Sequence, residues 1–249
     1  MKNALRALTA LAVLATASAA RATPSTTVWA PSTTYTQPYL VPHLTYDTYF
    51  RKDASYPVTT GLTMGVLPGE LVQAEVGFDL LYPANDPLVL NAKVTLAEDK
   101  LASFFPALSL GVANAGITKA TNYAMLYALA GKTIAGVSLA AGAYYGVDDK
   151  LWVDKNGSKD QVGALASIAA PPIKVGQPFL DSIVLSADVQ TGNNLFSAGG
   201  VAVSFYVLPT VSVLTGPVFF LARDTQPNRS DFMWTVQLDV DAPLKKAAQ

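Results

Sequence analysis

Residues 189–222 read VQTGNNLFSAGGVAVSFYVLPTVSVLTGPVFFLA and carry no charged side chain. A hydropathy window alone would make this run a membrane helix. Its punctuation argues against that: Gly199-Gly200, Pro209 and Gly216-Pro217 interrupt it, and both residue types break helices. Val, Phe and Tyr dominate, which favours strand. From Val201 to Val207, large apolar groups alternate with small or polar ones, a period of two that gives a strand two unlike faces. Leu208-Pro209-Thr210 then reads as a tight turn, and Val211-Ser212-Val213 resumes the alternation.

The same pattern extends outward from this stretch. In residues 72–80, Val72, Ala74, Val76, Phe78 and Leu80 oppose Gln73, Glu75, Gly77 and Asp79. In 88–96, Leu88, Leu90, Ala92, Val94 and Leu96 oppose Val89, Asn91, Lys93 and Thr95. Residues 43–50 place Leu44, Tyr46, Thr48 and Phe50 together, and 231–241 set Phe232, Trp234, Val236, Leu238 and Val240 against Met233, Thr235, Gln237, Asp239 and Asp241. With 59–66, 107–115, 122–130, 134–145, 161–169, 182–191, 198–208 and 211–221, the chain holds about twelve such segments. Each is roughly ten residues, the length a tilted strand needs to cross a bilayer. An even count places both barrel termini on one side. The expected fold is all-β: a single antiparallel transmembrane barrel of about 12 strands.

Composition agrees. Of 249 residues, 51% are hydrophobic and only 14% charged, against about a quarter in soluble domains. With no cysteine, disulfides and thiolate chemistry are excluded; with one histidine, no metal site or cofactor is expected. No basic cluster is present to bind nucleic acid. Lys2 and Arg6, the uncharged stretch 7–19 and Ala20-Arg21-Ala22 form a signal-peptide pattern with cleavage after Ala22. Cleavage removes three of 17 basic residues and leaves 14 against 18 acidic. The expected division is signal peptide 1–22, extended periplasmic lead-in 23–42, outer-membrane barrel 43–241 and a tail 242–249. The Thr-, Ser- and Pro-rich lead-in is expected to pack Trp29 against the barrel base.

Turn lengths alternate as an outer-membrane barrel requires. Connections at 67–71, 131–133 and 208–210 are short, while 147–160 and 222–230 are longer and polar. Residues 82–87 are short for an outer loop. Residues 97–106 are long for an inner turn and are a candidate short helix. Asn156-Gly157 is a turn signal. The soluble alternative is a β-sandwich or lipocalin-like barrel. It fits less well, because the face opposite the large apolar set is rich in Gly, Ala and Ser (Gly136, Ser138, Ala140, Gly142, Ala202, Ser204), which suits a crowded lumen.

On these strands, leader and turns, the stretch from about Leu44 to Asp241 resembles bacterial outer-membrane β-barrel proteins of the small porin-like type. The resemblance implies an outer-membrane location, contact with outer-membrane lipids and delivery by the barrel assembly machinery. Barrels of this class usually end on a strand with a terminal aromatic residue. Here APLKKAAQ follows the strand that holds Phe232 and Trp234, a departure from that pattern.

The polar residues on the small-residue face, Asp47, Glu75, Asp79, Asn91, Lys93, Asp188, Gln190, Gln237 and Asp239, are the candidate lumen lining. Two readings stand side by side: an acidic, cation-favouring pathway, or a plugged interior in which Lys93 pairs with a carboxylate such as Asp79 across adjacent strands. A barrel lipid-modifying enzyme would use His43, but no nucleophile motif accompanies it, and the alternative is an interfacial residue beside Pro42. Three functions follow: a passive narrow channel, a non-conducting scaffold or adhesin, and, least supported, an enzyme; no catalytic residue is expected.

Overall fold

The computed structural model describes residues 27–52 and 57–243. The signal-peptide reading, residues 23–26 and positions 244–249 of the tail lie outside them. Thirteen strands account for most of the described chain: β1 (Pro42–Phe50), β2 (Val58–Gly65), β3 (Val72–Tyr82), β4 (Leu88–Leu96), β5 (Ala107–Gly116), β6 (Met125–Ile134) and β7 (Val137–Gly146). They continue as β8 (Val162–Ala169), β9 (Ile173–Gln177), β10 (Leu180–Gln190), β11 (Ala198–Leu208), β12 (Val211–Phe220) and β13 (Phe232–Asp241). Each strand is antiparallel to its neighbours, and β13 pairs with β1 while β8 pairs with β10. Twelve strands therefore close into a barrel, leaving no edge within the ring. All twelve segments expected from the alternation are present.

The thirteenth strand, β9, hangs on β10 outside the ring. Ala169 pairs with Ser186 and Ile173 with Ile183, so β8 and β9 face one continuous partner. Pro171-Pro172 separates them, since proline cannot donate to a ladder. The ends of the barrel are named here by β1: the near end holds Pro42 and Asp241, the far end Phe50 and Phe232.

Two local expectations are corrected and a third holds. The turn expected at 131–133 falls at Ala135-Gly136, because β6 runs on to Ile134, which pairs with Val137. Both turn residues take positive φ (50° and 82°), the backbone that a two-residue hairpin turn demands. Residues 97–106 form turns and bends, not a helix. Their Glu98 and Asp99 carboxylates clasp Lys132 at 3.1 and 2.6 Å. At Asn156-Gly157 the expected turn is present: the Asp154 carboxylate accepts the N–H groups of Asn156 and Ser158. The Ser158 bond leads in holding that carboxyl below its usual range.

The two faces of the wall differ sharply. Outward-pointing Leu44, Val76, Leu90, Val94, Leu110, Leu126, Leu185 and Val201 are all exposed. So are Phe50, Tyr82, Tyr145, Phe219, Phe232 and Trp234, which together ring the far end. Soluble monomers do not present an apolar belt continuous around the molecule. Four other aromatics near strand ends point inward: Tyr49, Tyr127, Tyr144 and Phe220. The inner face carries the polar residues, and glycine there makes room for large side chains. A Cβ at Gly111 would lie 2.3 Å from the Tyr127 ring, and one at Gly163 would lie 2.5 Å from Tyr144.

Candidate functional site in the barrel lumen

Residues 27–41 lie inside the barrel, not below it. From Pro42 the chain passes Gln37, whose backbone N–H donates to Glu75 (2.6 Å) and whose side chain donates to Asp241 (2.8 Å). Thr36 donates to Thr95 of β4 at 2.8 Å. Thr34 sits against Gly131 of β6, and the Ser32 carbonyl accepts from Ser167 of β8 at 2.6 Å. The N–H groups of Val28, Trp29 and Ala30 all donate to Asp188 Oδ2 on β10 (2.8, 2.8 and 2.9 Å). Gln237 of β13 donates to the Val28 carbonyl at 2.8 Å. The segment thus circles the inner wall through the near half and climbs toward the far end.

The expectation that Trp29 packs at the barrel base is therefore corrected. Its ring meets Tyr49 and Phe220 edge-on, with centroids 5.9 and 6.2 Å apart, and its Nε1 donates to the Phe196 carbonyl. All three partners lie toward the far end. The physical reason is chemical fit. A segment of Thr, Ser, Pro and Gln without charge can satisfy its backbone on the polar side chains of a lumen.

Beside this segment a cavity of about 410 Å³ remains. Its lining reaches from Pro57 and Tyr82 at the far end to Thr63 and Glu75 toward the near end. The far mouth is narrowed by Trp152, which folds in from the β7–β8 connection. Trp152 is fully buried and packs on Phe196 (4.6 Å) and Tyr144 (5.3 Å). Nothing in the composition of that polar loop signalled an inward tryptophan; only its isolated position among charged residues was visible.

Of the nine candidate residues, Asp47, Glu75, Asp79, Asn91, Gln190, Gln237 and Asp239 line the cavity. Asp79 accepts a hydrogen bond from Asn91. Asp188 is committed to the inner segment. Lys93, only 2% exposed, pairs with Glu75 at 3.0 Å and not with Asp79. The register explains the choice: Glu75 lies directly opposite Lys93, whereas Asp79 lies opposite Val89.

His43 is not interfacial. It is 3% exposed, on the inner face, with Nδ1 2.9 Å from Asp241 and Nε2 3.4 Å from Asp239. Both ring nitrogens face carboxylates, so neither is left to take a proton from a hydroxyl nucleophile. Among the described residues the lumen gathers six inward carboxylates, Asp47, Glu75, Asp79, Asp188, Asp239 and Asp241. Against them stand Lys93, His43 and, at the far mouth, Arg51 over the Phe220 ring.

A closed antiparallel wall, an exposed apolar belt and a polar interior define a porin-like β-barrel. Comparison with the solved structure of a porin agrees on the fold. The NanC porin superposes with a TM-score of 0.52 at 10% identity, over 81% of this chain and 100% of that one. An outer membrane channel from Pseudomonas putida F1 gives 0.46 at 13% identity, over 81% and 94%. No protein-family model and no curated protein matches the chain.

Proposed function

We propose that this chain spans the outer membrane and acts as a narrow, passive channel that favours small cations. The near end, which holds both barrel termini, faces the periplasm in this reading. The single observation that carries it is the cavity lined by Asp47, Asp79 and Asp239 beside the inner segment. Carboxylates held in a narrow, low-dielectric passage attract cations and repel anions. The belt of exposed Leu and Val supports the membrane setting, because only lipid would solvate it.

Reconstitution into planar bilayers tests this. Discrete conductance steps are expected, with a reversal potential under a KCl gradient of the sign set by cation preference. In Asp47→Asn/Asp79→Asn, which keeps side-chain size and removes two carboxylates, the reversal potential is expected to move toward zero. Steps without any ion preference would refute the selectivity. No steps at all would favour the non-conducting scaffold, for which the occupied lumen is the supporting feature.

A further inference from the structure

The inner segment is held unevenly. Between Gln37 and Pro42 it is tied to the wall by backbone, as in the Leu40 N–H to Gly65 carbonyl bond (3.0 Å) and the Tyr39–Gly65 bridge. Its tip has no such ladder. Three successive N–H groups converge on one oxygen, Asp188 Oδ2, a concave array of donors that suits a carboxylate. Three scattered single bonds add to this, from Gln237 to the Val28 carbonyl, from Trp29 Nε1 to the Phe196 carbonyl and from Ser167 to the Ser32 carbonyl, and the seat itself is cut by Gly200, where a Cβ would lie 2.6 Å from Val28. Trp29 and Pro31 also border the 410 Å³ cavity, so the tip has free space beside it.

We propose that Asp188 is a latch. It holds residues 27–32 against the wall as a displaceable gate, and release of that tip widens the passage while residues 37–41 stay anchored at the near end. Asp188 suits this role because one side chain carries all three backbone N–H bonds: losing it removes the three together and leaves the tip on its bonds to Gln237, Phe196 and Ser167, whereas loss of one rung of a strand ladder would remove only one. The gating consequence rests on the channel reading above; the latch itself does not.

The chain has no cysteine, so Val28→Cys introduces a single reporter thiol at a position that is 0% exposed. In vesicles carrying this variant, a membrane-impermeant maleimide should react slowly. Adding Asp188→Asn should raise the labelling rate about tenfold or more, since a bond to a charged acceptor is about twice as strong as a neutral one and three are weakened together. The same change should enlarge the conductance step. Should Asp188→Asn fail to give heat-modifiable folded protein, Gly200→Ala keeps the Asp188 carboxylate, crowds the Val28 seat and should also raise labelling. An unchanged labelling rate in the folded variant would overturn the latch. Faster labelling without any conductance would uphold the latch and refute the channel; conductance with unchanged labelling would do the reverse.

Discussion

Lys93→Ala is expected to cost about 3–5 kcal/mol of stability, the range found when one partner of a buried ion pair is removed. The Lys93 side chain is 1% exposed and its Nζ lies 3.0 Å from Glu75 Oε1. Glu75 Oε2 already accepts the Gln37 N–H, so that bond also ties the inner segment to the pair. Truncating Lys93 leaves a buried carboxylate with one neutral donor, and the loss comes from that orphaned charge more than from the lost attraction. The double variant Lys93→Met/Glu75→Gln removes both charges and keeps a carbonyl for Gln37. It should recover most of the loss. Urea unfolding of the reconstituted barrel measures both; a Lys93→Ala cost under about 1 kcal/mol would show the pair to be wet and weak.

Val76→Arg separates a lipid-facing wall from a water-facing one. Val76 is the fifth of eleven residues in β3, points outward and is 47% exposed. On the lipid face of a transmembrane barrel, arginine near the midplane costs about 2–4 kcal/mol. On a solvated strand, the same surface change would fall within about 0.5 kcal/mol. Equilibrium unfolding in lipid vesicles reads the difference. Glu75, one position away, faces inward, so the effect belongs to the side of the wall and not to the strand.

The wall was legible because period two leaves a mark that no other element makes. Val72 to Leu80 assigns each residue to a face, and the structure keeps that assignment, with Val76 and Phe78 exposed and Glu75 buried. The polar candidates were visible for the same reason: in a wall with an apolar outer face, Asp47 or Asn91 had one place to go. Residues 27–41 were not legible, because Thr, Ser and Pro without periodicity read alike whether a chain is solvated by water or by a polar lumen. Which carboxylate Lys93 meets depends on a register that alternation cannot set, since shifts by two residues preserve every face. His43 read as interfacial because its neighbours Asp239 and Asp241 lie at the other end of the chain, brought together only by β1–β13 closure. Trp152 belongs to a loop, where side-chain direction follows no period.

A closed barrel embedded in the outer membrane must behave as an integral protein of that membrane. The most direct measurement is fractionation of cells expressing it, with carbonate extraction of the envelope and gel migration before and after boiling. Recovery in the outer-membrane fraction, resistance to carbonate, release by detergent, and faster migration of the unboiled, folded barrel are expected. Recovery as freely soluble periplasmic protein, with no shift on boiling, would contradict a barrel in that membrane.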